Sequence, residues 1–450
     1  MVCRSRKSGR RGAVLIVALV LVFVIAAMVI ALGGTSRSDA SLSANLMATR
    51  QARLVEQSAE QYVLALLEQS SSSSTSSSTS AVELLDSSYF EQVELAGGYV
   101  WFLRPDYGDG ELPQYGLVDE STKLDLNTAT GNQLAAMPGI GESIGNRIID
   151  WRDENDTKAN EEGSEADDYQ GGPAGYLPRN GNFVYLEELL MVAGMSPVLY
   201  HGDEMTIAQA GGTYVQPATM ELDNLYQQIG LEPFLTVNGA AATLSSEEPI
   251  DLSNNETRNE VADYVSETIA DERGEQFSVR IRTRNQPYRD AFHMANDLDM
   301  TRDELKQVYD RLSPGGNGVK VNVNAAPPQV LSAVIDDDSL VEKIVGARAG
   351  YTRQDPYDVT WLFEELEDEA TGLGQFITGR GRYYSADIVA AAKSGRAFRR
   401  VRVIVDTETS PARIVYRRDL TDQGWPLDPT LLDQLRAGEL ATGASGPIYQ

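Results

Sequence analysis

Cysteine occurs once in these 450 residues, as Cys3, and histidine twice, as His201 and His293. The body of the chain therefore forms no disulfide, and its stability must come from core burial or from bound metal. Two isolated histidines give no zinc spacing, and no phosphate loop or dinucleotide fingerprint occurs. Cations are also scarce: 38 Lys and Arg stand against 66 Asp and Glu, a formal charge of −28. Such a chain is repelled by nucleic-acid phosphates and by anionic surfaces.

Long hydrophobic runs are absent with one exception, Ala13 to Leu32, twenty residues without a charge. At about 1.5 Å per residue this run reaches roughly 30 Å, the thickness of a bilayer core. It exceeds the core of a secretory signal peptide, which is about 7–15 residues. Arg4, Arg6, Lys7, Arg10 and Arg11 precede it, whereas only Arg37 follows closely. The charge bias predicts a single membrane pass, with the N-terminus cytoplasmic and the bulk of the chain exported.

Beyond the run, Val55, Ala59, Tyr62, Val63 and Leu66 recur at helical spacing. This predicts one long helix over 13–69, followed by a Ser/Thr linker at 70–80. Short strands are expected within 97–105 and 115–127, and a hairpin over 399–408 and 412–419. The intervening residues read as mostly helical. The fold class is α+β: a long N-terminal helix on a small antiparallel sheet, split as 81–126 and 396–420, with a helical insertion at 127–395. The tail, 421–450, is expected to be loosely ordered.

The insertion holds an internal repeat. "KLDLNTATGNQLAAM" (123–137) aligns without gaps with "KVNVNAAPPQVLSAV" (320–334), opening units at 123–200 and 320–366. In the first, Thr130 and Gln133 form a capping box, and "PGIG" leads into a second helix. This resembles a helix-hairpin-helix or SAM-like unit, whose glycine amides could hold a phosphate. A membrane-tethered DNA receptor of a competence-type system is the rival reading. The charge opposes it: from Glu142 to Asp168 ten acids meet three bases, and Asp336–Asp338 replace the second glycine turn. No nucleic-acid partner is expected. "GESIG" (141–145) has the letters of a nucleophile elbow, but lacks a preceding strand and a histidine partner for Ser143. No enzymatic activity is expected.

The acidic stretch "DWRDENDTKANEEGSEADDY" (150–169) reads either as a solvated loop or as a source of the hard oxygens that Ca²⁺ prefers, although its spacing is not that of an EF-hand.

Four features together resemble the type II secretion system minor pseudopilin K family (general secretion pathway protein K). They are the basic leader (1–12) ending in Gly12, "LVDESTKLDLNTAT…LAAMPGIG…IIDWRD", "GSEADDY…Y…RNGNFVYLEELLMVAGM" (163–195), and "KVNVNAAPPQVLSAV" before the terminal strands. The resemblance implies the pseudopilin fold and cleavage by a prepilin peptidase between Gly12 and Ala13. The apolar helix is kept as a single-pass inner-membrane anchor with the bulk periplasmic, and Val17 stands at the fifth mature position, where most pseudopilins carry glutamate. It also implies a non-catalytic subunit that caps the tip of the pseudopilus and primes its assembly with I- and J-type minor pseudopilins and the major pseudopilin. Ca²⁺ in the inserted domain is implied too, with Asp153, Asn155, Asp156, Glu165 and Asp168 as the expected ligands.

Overall fold

The computed structural model describes residues 10–72, 87–105, 115–171, 175–202, 230–242, 248–315, 318–352 and 355–440, with the side chains of 10–14, 31–37 and 70–72 left out. Most of the leader, most of the Ser/Thr tract and residues 203–229 lie outside the described residues.

Helix α1 runs unbroken over Arg10–Ser72. Ala48, Ala52, Val55, Ala59, Val63 and Leu66 form its buried stripe, at the spacing read from the sequence, while Tyr62 is half-buried. Small residues let the helix approach the sheet closely. At Gly98 a Cβ would meet Ala391 O at 2.4 Å and Val55 Cγ2 at 2.6 Å. Only glycine fits there.

The expected inner-membrane span is corrected. Among the described residues, no helix is long and apolar enough to cross a membrane.

The sheet is larger than expected. Its strands are β1 (Val93–Leu95), β2 (Gly98–Leu103), β3 (Val118–Asp119), and, far along the chain, three others. The insertion supplies its own two-residue strands in parallel pairs: β4 (Leu124–Asp125) with β5 (Leu235–Thr236), β6 (Ile250–Asp251) with β7 (Leu312–Ser313), and β8 (Val321–Asn322) with β9 (Ile377–Thr378). The late sheet strands are β10 (Tyr383–Ala392), β11 (Phe398–Asp406) and β12 (Arg413–Asp419). The order is β1-β2-β10-β11-β12, all antiparallel, with β3 also on β10. The hairpin β11–β12 stands where it was expected.

Two boundaries differ from the sequence reading. The central strand β10 falls inside the span assigned to the insertion, so the insertion ends before Tyr383 rather than at 395. The tail is ordered to residue 440: Trp425 packs edge-on against Trp101 (5.8 Å) and Phe398 (5.3 Å), and Leu427 and Leu435 are buried on the same face. It ends in a helix, Pro429–Ala437, capped by Asp428. The sheet is thus a middle layer, with α1 on one side and the tail on the other.

Inside the insertion, α2 (Gly131–Ala136) and α3 (Gly141–Arg152) flank a turn in which Gly139 and Gly141 take positive φ of 80° and 62°. The Thr130–Gln133 capping box is present. The aligned segments share their bonding. Asn127 grips Phe183 through its amide (2.7 Å) and carbonyl (3.1 Å). Asn324 donates to Pro356 O and Asp358 O and accepts from Trp361 Nε1. Arg152 donates to Leu126 O and Ala129 O, and Arg348 donates to Val323 O and Ala326 O.

Candidate functional site

The acidic loop begins where α3 stops. Asp150 is fully buried on the last turn of α3 and accepts the amides of Ala159 and Ser164, both at 2.7 Å. Those two bonds tie the loop down at both ends. Gly163 passes so close that a Cβ would sit 2.1 Å from Asp150 Oδ2, which accounts for the glycine of "GSE". Burial pushes the Asp150 carboxyl above its usual range. The neighbouring Trp151 packs against Tyr169 (5.4 Å), Tyr176 (6.1 Å) and Phe183 (6.4 Å), so the loop hangs from an aromatic core.

Glu165 is the anomaly of this loop. Its side chain is buried, with 5% exposure, and neither carboxylate oxygen has a hydrogen-bond partner among the described residues. The Asp168 amide reaches the backbone carbonyl of Glu165, at 2.9 Å, rather than its carboxylate. Burial, and then the charges of Asp150, Asp153, Asp156 and Asp168, raise the Glu165 pKa to about 7. A buried carboxylate without a donor is costly unless a cation satisfies it.

The other expected ligands are engaged locally. Asp153 accepts the Asn155 amide (3.3 Å), and Asn155 accepts the Thr157 amide (2.8 Å). Asp156 accepts from Asn180 Nδ2 (3.0 Å). Asp168 binds Lys158 Nζ at 2.8 Å and accepts the Glu165 amide at 2.9 Å; Lys158 holds its carboxyl below the usual range. Among the described residues, no three His, Cys, Asp or Glu side chains are gathered into a ready metal site. The donor chemistry nevertheless suits a hard cation: every candidate ligand offers oxygen, and Glu165 has both of its oxygens free.

The remaining site residues are dispersed. Val17 is 64% exposed. Gly12 and Ala13 lie in the first turns of α1, with side chains outside the described residues. Ser143 sits in α3 behind a helix and a glycine turn rather than a strand, so no nucleophile elbow forms. His201 contacts Glu232 (3.2 Å), and His293 accepts the Arg289 amide (3.1 Å); each is a packing residue.

Sequence reading missed the ion pairs that position the insertion on the sheet. Glu232 binds Arg402 of β11, and Arg402 and Arg400 share Asp387 of β10. Glu187 binds Arg418 and accepts from Tyr416 Oη (3.1 Å), both on β12. Alternating arginines in "RRVRVIVD" were the available signal, but the insertion's acids lie far off in sequence: Glu232 is 170 residues from Arg402, and Glu187 is 231 from Arg418.

Residues 122–202 match the family model of type II secretion system protein K, first domain. The matched span, 81 of the 450 residues, contains α2, α3, the acidic loop and the aromatic cluster, so the candidate site lies wholly inside it. No curated protein sequence matches the chain. Among solved structures, it is similar to a chain of the GspK–GspI–GspJ complex from enterotoxigenic Escherichia coli. That likeness has 11% identity, 86% coverage of this chain, 99% of that one, and a TM-score of 0.39. So loose a superposition carries no functional inference.

The raised Glu165 pKa has a measurable sign. A folded pKa of about 7, above the ordinary 4.5, means that stability is lost as pH rises from about 4.5 through 7 and stays lost above it. In EGTA, melting of the wild type should fall between pH 5.5 and 8. Glu165→Gln should flatten that dependence and gain about 1–2 kcal/mol at pH 8, a figure discounted for screening at the surface. Parallel melting curves for the two proteins would show that the carboxylate is solvated.

Proposed function

We propose that this chain is a minor pseudopilin of the K type. It is a non-catalytic subunit that caps the tip of the type II secretion pseudopilus and primes its assembly for protein export. The observation that carries the reading is the match to the protein K family model over 122–202, in a chain whose long helix α1 packs on an antiparallel sheet. The exposed apolar residues of α1, Leu15 through Ile30, offer a surface for the helices of neighbouring subunits. I- and J-type minor pseudopilins are the partners that the sequence resemblance implies, with the major pseudopilin below them.

In this reading the acidic loop holds Ca²⁺, with Glu165, Asp153, Asp156 and Asp168 as carboxylate ligands and Asn155 completing the set. Ca²⁺ would neutralise the crowded carboxylates and stiffen the loop. The flexible geometry it accepts suits an irregular loop better than the octahedron Mg²⁺ demands.

Prepilin-type processing belongs to the same proposal. Mass spectrometry of the mature chain should find Ala13 as the first residue, and an intact Met1 would remove the prepilin assignment. The role itself is tested by co-purifying the mature chain with co-expressed I- and J-type minor pseudopilins. A stoichiometric ternary complex, labelled at one end of the pseudopilus, is expected. Labelling along the filament length would exclude a tip role.

A further inference from the structure

Lys158 is the only cation among residues 153–168, where it faces eight carboxylates. It is not spread among them. Its ammonium straddles both oxygens of Asp168, at 3.0 Å from Oδ1 and 2.8 Å from Oδ2. Three residues earlier, Glu165 keeps two buried oxygens with no donor among the described residues. One acid of the loop is therefore satisfied by an internal cation, and its neighbour by none.

We propose that Lys158 is a built-in competitor for the divalent cation: Asp168 is held either by the ammonium or by the metal, and the exchange sets the affinity of the loop. This rests on the reading that the acidic loop takes Ca²⁺. A cation shared by Asp168 and Glu165 would stand next to the Lys158 ammonium, so the two exclude each other by charge. Departure of Lys158 costs little, because the pair is about 40% exposed on each side and pairs of that kind are weak. Asp168 does not collapse when the lysine leaves, since the Glu165 amide still holds its Oδ2 at 2.9 Å.

The charge arithmetic favours divalent over monovalent ions. Replacing the ammonium with Na⁺ changes nothing in net charge, whereas Ca²⁺ brings one extra positive charge, which Glu165 can take up. Lys158 thus works as a threshold: the loop is closed on itself at low metal and opens to the ion only when the ion outcompetes the lysine.

The test is calorimetric titration of Ca²⁺ into the full chain, in parallel for wild type, Lys158→Gln and Lys158→Arg at low salt. Lys158→Gln should bind about three- to fivefold more tightly, and Lys158→Arg within about twofold of wild type. In 0.5 M KCl the gap should shrink, because exposed charges are screened. Equal affinities for wild type and Lys158→Gln, with both binding Ca²⁺, would overturn the competitor role and leave the metal reading standing. Weaker binding by Lys158→Gln would make Lys158 a support of the site and overturn the proposal too. Absence of Ca²⁺ binding in all three proteins would overturn the metal reading itself, and the competitor with it.

Discussion

Glu56→Ala is expected to unfasten α1 from the sheet. Glu56 is 1% exposed, sits in the middle of the helix, and receives Arg399 Nε at 2.9 Å together with the Arg417 guanidinium. Arg399 also reaches Asp419 (2.6 Å), and Arg417 reaches Glu60 (2.7 Å). One buried acid thus ties the helix to both β11 and β12. Arg399 and Arg417 stay partly exposed and keep Asp419 and Glu60, so the loss is about 2 kcal/mol, below the roughly 3–5 kcal/mol of a pair whose surviving charge stays desolvated. Glu60→Ala removes a more peripheral contact and should cost about 1 kcal/mol. Hydrogen exchange resolves the two: in Glu56→Ala, protection of 48–67 should fall while the amides of α3 keep theirs. Unchanged protection along α1 would mean that apolar burial alone holds the helix.

A larger loss is expected at Asp119→Ala. The Asp119 carboxylate is buried and accepts four hydrogen bonds: Ser121 amide (2.8 Å), Ser121 Oγ (2.7 Å), Asn322 Nδ2 (2.9 Å) and Gly381 amide (2.8 Å). Those donors come from the first sheet segment, from β8 of the second repeat and from the approach to β10. The chain therefore leaves the sheet and re-enters it at one carboxylate. Alanine would orphan all four donors, each at about 1–3 kcal/mol and not additively, so a total of about 4 kcal/mol or more is expected. Asn is no remedy, since its amide would point hydrogens at hydrogens. Gly381→Ala should mimic the loss from the other side, because its Cβ would sit 2.0 Å from Asp119 Oδ1. Urea midpoints together with limited proteolysis near 378–383 would report it. An unfolding free energy within about 0.5 kcal/mol of wild type would refute this role.

Elements with a one-sided environment were legible from the sequence. The stripe of α1, the capping box at Thr130 and the hairpin β11–β12 each carry a period that burial on one side imposes. Strand β10 escaped because both of its faces are covered: in "YYSADIVAAA" eight of ten residues are buried, which removes the alternation that marks a half-buried strand. The tail escaped for a different reason. Trp425, Leu427 and Leu435 lie among Gly, Pro and Asp, and nothing local announces a sheet face waiting for them. At the acidic loop the residue types were readable, but which acid lacks a partner was not. That depends on Asp150 pinning the loop from within α3, and on Lys158 choosing Asp168 rather than Glu165.

The pairing of β2 with β10 also sets a clock on biosynthesis. Strand β10 begins at residue 383 and β2 at residue 98, so the older strand waits for 285 residues of further synthesis. At about 5–20 residues per second that is roughly 15–60 s. The insertion, whose strand pairs join residues 56 to 111 apart, can close during the wait, because shorter-range contacts form before more distant ones. The apolar stripe of α1 has no such recourse, since its bed is β10 and β11. A nascent chain of this protein therefore acquires its head before its wall, and carries a naked helix on the ribosome until β11, ending at Asp406, has been made.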